Sequence, residues 1–250
     1  MTEHLMPFAT LPKHGDLGSS HLSYHNTRFC EVDDNPIMGF HGGLFGSMLS
    51  KLQYLVEGHF RSSAGAFYKA GFTPNAVTAV GFLLTLVAAT LYANGFGTIW
   101  SLSGAALALL VGAYFDAVDG TMARRFHQMS KMGGILDSVL DRLGEAALYT
   151  GLAIGNLIPG WLSLWALSAS LMVSYVRARV DVEGVKLKGV GFAERPERLL
   201  ILLIATIAAA FNSLSLEYGV GLVAILSTVT IVERLFRTRT LLSGSERALA

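Results

Sequence analysis

The amino-acid sequence predicts an all-α integral membrane protein with six transmembrane helices, preceded by a cytoplasmic amphipathic interfacial helix. The first observation is composition, because 52% of the 250 residues are hydrophobic and only 15% are charged. A soluble domain carries about 25% charged residues. The second observation is length, since a hydrocarbon core needs about 20 apolar residues per helix. Runs of this kind lie at residues 76–94, 97–117, 133–157, 160–181, 197–213 and 217–236.

The third observation is the distribution of lysine and arginine, which orients the spans. The connections after the first, third and fifth spans contain neither residue, whereas the other side of the membrane collects almost all of them. Cytoplasmic loops carry such an excess. We therefore expect a multi-pass protein of the cell membrane, with both termini and the loop after the second span in the cytoplasm. The formal net charge of +1 is too balanced to indicate a nucleic-acid partner.

The chain divides into four segments by composition. Residues 1–45 are polar and lack periodicity, which predicts a flexible tail. Residues 46–72 carry apolar residues near helical spacing with basic residues between them, as in a helix that lies along a membrane surface. Residues 73–240 hold the six spans, in which small residues such as Gly151 and Gly155 are expected to allow close helix packing. Residues 241–250 form a short tail.

Four aspartates stand where the second and third spans meet their loop, in the segment FDAVDGTMARRFHQMSKMGGILDSVLDRLGE. Asp116 and Asp119 are three residues apart, and Asp137 and Asp141 are four apart, so each pair shares one face of a helix. Two antiparallel helices can turn these faces towards each other. Converging carboxylates repel one another unless cations lie between them, and hard oxygen ligands suit Mg²⁺, Mn²⁺ or Ca²⁺ rather than zinc. The segment therefore predicts a divalent-metal site.

The residues between the aspartates favour a phosphorylated ligand. Gly120 and Gly133 would let a bulky ligand approach the backbone, and Arg124 offers a planar donor suited to phosphate. The complete pattern, D-x2-D-G-x2-A-R-x8-G-x3-D-x3-D, resembles the signature of the CDP-alcohol phosphotransferases. These are integral membrane enzymes of phospholipid synthesis.

The resemblance implies a role for each motif position. Two divalent ions, Mg²⁺ or Mn²⁺, would grip the diphosphate of a CDP-lipid, with Asp141 also acting as the general base on the acceptor hydroxyl. The implied metal ligands are Asp116, Asp119, Asp137 and Asp141. The implied contacts to the CDP-lipid are Gly120, Arg124 and Ser130, together with Thr73, Pro74, Asn75 and Ala76 of the segment GFTPNAVT.

A second segment indicates the acceptor. SYVRARVDVEGVKLKGVGFAERPERLLIL, residues 174–202, resembles the phosphatidylinositol phosphate synthases of actinobacteria and their archaeal counterparts. Arg177 stands where those proteins carry a lysine. The resemblance implies that the acceptor phosphate is held by Arg177, Arg198 and Arg234, and three cations suit a small anionic acceptor. Arg195 is expected to form ion pairs that orient Arg198.

The expected reaction transfers a phosphatidyl or archaetidyl group from CDP-diacylglycerol or CDP-archaeol to inositol phosphate, with release of CMP. The resemblance further implies a homodimer. One alternative is a sibling transferase that uses glycerol 3-phosphate or another alcohol. A remote alternative is a cation transporter, which would explain the aspartates but not the Gly120 and Arg124 positions.

Overall fold

A computed structural model describes residues 58–95, 98–185, 191 and 193–249, with side chains described as far as residue 242. The predictions made for residues 1–57 lie outside these ranges. Every regular element within them is an α-helix. The helices are α1 at 58–69, α2 at Pro74–Ala93, α3 at Ile99–Arg125, α4 at Lys131–Ile154, α5 at Gly160–Val182, α6 at Arg195–Ala209 and α7 at Leu214–Leu249.

Three of the described helices are long and apolar enough to cross a membrane: α2, α3 and the Leu214–Leu242 part of α7. Helix α6 differs from the expected span at 197–213, because its 15 residues end at Ala209. There the Phe211 amide donates to the Ala208 carbonyl and closes a turn. Large apolar side chains, among them Leu83, are more than half exposed on the outer helix faces. Such extensive apolar exposure is typical of a lipid-facing surface.

Side-chain caps start the helices that carry the predicted site. Thr73 accepts a hydrogen bond from the Ala76 amide and begins α2, with Pro74 in the first turn. Ser130 accepts from the Gly133 amide at 2.9 Å and begins α4. Each cap satisfies an amide that the helix itself leaves without a partner. The caps therefore fix where the two helices start.

Glycines bring α4 into backbone contact with α2. A Cβ at Gly151 would lie 2.3 Å from the Ala89 carbonyl oxygen, and one at Gly155 would lie 2.0 Å from the Tyr92 carbonyl oxygen. No larger residue fits either position without moving a helix. The expectation that these glycines serve close packing is confirmed. Because the two helices run parallel, the same contact places their N-terminal turns side by side.

Helix α1 packs against the C-terminal half of α3, from Tyr114 to Met122. Ala64 is fully buried, and Phe60 and Phe67 lie on the same face of α1. The Tyr114 hydroxyl of α3 donates to Ser63 Oγ at 2.5 Å. The described part of the predicted amphipathic helix therefore turns its apolar face towards α3.

Candidate active site

Three of the four predicted metal ligands converge where α3 ends and α4 begins. One carboxylate oxygen each of Asp116, Asp119 and Asp137 lies within 4.8 Å of the other two. Asp119 is buried, and its Oδ2 has no hydrogen-bond partner among the described residues. A buried carboxylate oxygen without a donor is costly in a protein interior. A hard divalent cation would satisfy it, so the residues of this acidic triad fit such an ion.

Asp141 lies beside the acidic triad but has a different partner. Its Oδ1 is 2.8 Å from Nη1 of Arg195, and the same nitrogen donates to Oδ1 of Asp116 at 2.9 Å. Oδ2 of Asp141 lies 3.6 Å from Nη1 of Arg142. Arg195 was expected to support Arg198, and that expectation is wrong, because its guanidinium bridges two carboxylates of the site.

A cavity of about 230 Å³ opens next to the acidic triad. It gathers five of the seven residues predicted to contact a CDP-lipid: Pro74, Asn75, Gly120, Arg124 and Ser130. Asp119 and Asp137 line the same cavity. The remaining two predicted residues, Thr73 and Ala76, form the cap of α2 instead.

Two glycines keep the cavity wall open. A Cβ at Gly133 would lie 2.9 Å from Ser130 Oγ and 3.0 Å from Asn75 Oδ1, which is closer than side-chain atoms normally approach. A Cβ at Gly120 would lie 3.3 Å from Nη1 of Arg124. The glycines therefore leave room for polar side chains to surround the cavity, in addition to any ligand.

Arg198 of the predicted acceptor site is fully enclosed by protein. Its side chain is 1% exposed, and Nε and Nη2 donate to the two carboxylate oxygens of Glu145 at 2.8 Å each. Nη1 donates to the Ala193 carbonyl at 2.7 Å. In this conformation Arg198 ties α6 to α4.

The other two predicted acceptor arginines share a carboxylate. Nη2 of Arg234 donates to Oε1 of Glu194 at 3.1 Å, and Nη1 of Arg177 lies 3.9 Å from the same oxygen. Arg234 is 1% exposed and also donates to the Val173 carbonyl, whereas Arg177 is 43% exposed. The use of these arginines for an acceptor phosphate stays a prediction.

Sequence reasoning missed several residues of the site, and two of them, Thr78 and Arg195, bear on its chemistry. Thr78 lies on the wall of the large cavity and of a second, small cavity, with its hydroxyl bonded to the Pro74 carbonyl. The sequence signal for Thr78 was its position one helical turn after Pro74, which places both residues on the same face of α2. Arg195 was visible as an arginine in the first turn of a helix, where a cation opposes the helix dipole and needs acidic partners.

The fold and site together define a helical membrane protein with a carboxylate centre suited to a divalent ion and an adjacent cavity for a polar ligand. The family model for CDP-alcohol phosphatidyltransferase matches residues 72–232, and the chain belongs to this family. It is therefore a transferase of substituted phosphate groups. The cation-transporter alternative loses its support.

Relatives with assigned activities resemble most of the chain. The chain is 38% identical over 192 residues to the archaetidylinositol phosphate synthase of Pyrococcus horikoshii. The matched region covers 77% of this chain and 97% of the relative. A crystal structure of Mycobacterium tuberculosis phosphatidylinositol phosphate synthase with CDP-DAG bound gives a TM-score of 0.62 at 30% identity, covering 72% of this chain and 92% of that one. The same mycobacterial protein in complex with manganese and citrate gives a TM-score of 0.63 at 30% identity, with 72% and 89% covered.

Proposed function

We propose that the protein transfers a phosphatidyl or archaetidyl group from a CDP-lipid to inositol phosphate and releases CMP. The observation that carries the proposal is the acidic triad beside a cavity lined by the predicted CDP-lipid contacts. The relatives named for inositol phosphate lipid synthesis support the acceptor, and the neighbour with CDP-DAG bound supports the donor. The lipid is CDP-diacylglycerol or CDP-archaeol.

The cavity residues bind and orient the donor. Arg124 and Ser130, with Pro74 and Asn75 on the same cavity, surround the diphosphate and nucleotide. Asp116, Asp119 and Asp137, together with Asp141, would hold two divalent ions, Mg²⁺ or Mn²⁺. When bound, these ions spread the charge of the diphosphate and stabilise the departing CMP. The mycobacterial neighbour with manganese supports the use of a divalent metal.

Asp141 takes the proton of the attacking hydroxyl. The hydroxyl oxygen forms a bond to the lipid-side phosphorus, and the bond from that phosphorus to the bridging oxygen of the diphosphate breaks, so that CMP leaves. Asp141 is a weak base among positive charges, but a hydroxyl held beside it needs no diffusional encounter. Arg142 and Arg195 limit the orientations that its carboxylate can take.

Arg177, Arg198 and Arg234 hold the acceptor phosphate. Glu194 lies against Arg177 and Arg234, so an acidic oxygen already occupies the place proposed for a phosphate oxygen. Guanidinium groups bind phosphate with paired, charge-assisted hydrogen bonds. We expect the acceptor phosphate to displace Glu194 from Arg177 and Arg234 and thereby to reach Arg198, which is enclosed and paired with Glu145 in the present conformation.

The six-helix domain at 73–240 spans the cell membrane six times, with the site and both termini facing the cytoplasm. Helix α1, as part of the segment 46–72, lies at the cytoplasmic interface, and two copies of the chain form a homodimer. The one-sided distribution of lysine and arginine supports this orientation. The lipid donor then enters from the cytoplasmic leaflet, and the soluble acceptor enters from water.

CMP release from the purified protein in detergent tests the function. The donor is CDP-diacylglycerol or CDP-archaeol with Mg²⁺, and the acceptors are inositol 1-phosphate, free inositol, glycerol 3-phosphate and serine in parallel. Of the four acceptors, we expect only inositol 1-phosphate to give CMP release. We expect the Asp141→Asn variant to release no CMP with this acceptor. Release with glycerol 3-phosphate alone would establish the sibling activity instead. Absence of release with every acceptor and both donors would overturn the proposal.

A further inference from the structure

Arg195 connects carboxylates from two helices. Its Nη1 lies 2.9 Å from Oδ1 of Asp116 on α3 and 2.8 Å from Oδ1 of Asp141 on α4. Its side chain is 22% exposed, and a water-sized cavity of about 20 Å³ borders all three residues. Leu109 and Leu199 also line this cavity. The bridge is therefore partly buried, with Asp141 15% and Asp116 38% exposed, and charge pairs that are partly withdrawn from water are stronger than fully exposed ones.

The position of Arg195 in the chain is itself unfavourable. It is the first residue of α6, where the helix dipole repels a positive charge. The guanidinium also leaves Nε buried and without a hydrogen-bond partner among the described residues. The two carboxylates offset these costs. The arrangement indicates that the bridge is a feature of the site and not a chance surface contact.

We propose that Arg195 is a positioning residue that fixes one oxygen of Asp116 and one of Asp141. Each carboxylate then presents only its other oxygen to the bound ions and to the acceptor hydroxyl. The positive charge also lets Asp141 stand beside the acidic triad without strong repulsion. The reactive part of this inference rests on the proposed function, but the effect on metal binding does not.

Opposite effects on metal binding and turnover follow from this role. The charge of Arg195 repels a divalent cation at the neighbouring triad, so its removal strengthens metal binding. Its removal also frees Asp141 to turn away from the acceptor, so turnover falls. A residue that only stabilised the fold would weaken both properties when replaced. Tighter metal binding together with slower turnover therefore distinguishes a positioning role from a purely structural one.

The test compares Arg195→Gln, Arg195→Lys and the control Arg142→Gln with the wild-type protein in detergent. Arg142 also approaches Asp141, but at 3.6 Å, and its Nη1 donates to the Ser138 carbonyl of its own helix. Mn²⁺ affinity is measured by electron paramagnetic resonance of the free ion, and kcat by CMP release. Gel filtration shows that each variant is folded.

For Arg195→Gln we expect Mn²⁺ to bind at least about tenfold more tightly, because a neighbouring positive charge is removed; this change is small compared with the unscreened Coulomb repulsion between the two charges. We expect kcat of the same variant to fall about 100-fold. Arg195→Lys keeps the charge but lacks the fork of donors, so we expect Mn²⁺ affinity near that of the wild type and an intermediate kcat. Arg142→Gln should change Mn²⁺ affinity by less than about threefold, because its guanidinium is more exposed and more distant.

Unchanged or weaker Mn²⁺ binding in Arg195→Gln would overturn the inference. Tighter binding with an undiminished kcat would also overturn it, because Arg195 would then only occupy a metal position. If the wild-type protein releases no CMP with any of the acceptors, the proposed function is overturned. The Mn²⁺ comparison between the glutamine and lysine variants would still decide whether Arg195 has the inferred effect on the metal site.

Discussion

The buried ion pair between Glu145 and Arg198 can be tested by replacing Glu145 with glutamine. The two side chains are 2% and 1% exposed, and Arg198 donates to both carboxylate oxygens. Glutamine keeps the size of the side chain but removes its charge and turns an amide group towards one arginine donor. The variant therefore leaves a buried guanidinium whose acceptors, the glutamine oxygen and the Ala193 carbonyl, are both neutral.

The loss of folding stability in Glu145→Gln can be estimated from the burial of both partners. Removal of one member of a buried pair costs about 3–5 kcal/mol, because the other charge is left uncompensated. For a chain of this size, 1 kcal/mol corresponds to about 2–4 °C in Tm, so we expect a fall of roughly 6–20 °C. Replacing both partners, with Glu145→Leu and Arg198→Met, removes the charges together and should recover most of this loss.

Thermal unfolding in detergent, followed by circular dichroism, measures these differences. The matched control is Glu183→Gln, since Glu183 pairs with Arg179 on the exposed surface of α5, where an ion pair contributes at most about 0.5 kcal/mol. A Tm shift for Glu145→Gln no larger than that of the control would refute the reasoning. A double variant as unstable as Glu145→Gln would show that lost packing, and not an unpaired charge, causes the effect.

Three further predictions concern the cavity, the helix contact and the metal. Gly133→Ala crowds Ser130 and should raise the KM for CDP-lipid about tenfold. Gly160→Ala at the start of α5, outside the cavity and with no atom within 4 Å of the added Cβ, should leave KM unchanged in the CMP assay. Gly151→Ala should lower Tm, because the added methyl group pushes α4 away from α2. The control Gly221→Ala meets open space and should stabilise α7 by up to about 1 kcal/mol. Equal Tm values for the two variants in thermal unfolding would contradict this prediction. EDTA should abolish CMP release and Mg²⁺ or Mn²⁺ restore it, while restoration by Zn²⁺ alone would contradict an all-oxygen site.

The sequence predicts the acidic triad well because its signal is local. Spacings of three and four residues place aspartates on one helix face, and a short loop brings the two helices together. The same spacing does not tell how far Asp141 lies from the ions, because one helical turn separates it from Asp137 by about 6 Å along the axis. That distance is enough for Asp141 to meet a side chain from α6.

The arginines are harder to predict because their partners are far away in the chain. Positive charge at the ends of the spans indicates an anion site, and Arg177 and Arg234 do lie against one acidic oxygen. Arg198 and Arg195 belong to the same short segment, yet they face different carboxylates on α4. The rotation of α6 about its axis decides which arginine meets which partner, and that rotation depends on packing against α3 and α7.

The first turn of α6 links parts of the site that the sequence presents as separate. Glu194 contacts the arginines of α5 and α7, Arg195 contacts Asp141, and Arg198 contacts Glu145. Because two arginines so close to a helix N-terminus oppose its dipole, these contacts hold the turn in place. A shift of this one turn would therefore move the proposed acceptor arginines and the proposed base together. If the acceptor phosphate binds in place of Glu194 as proposed, we expect its binding to change the orientation of Asp141, because Glu194 and Arg195 are consecutive residues.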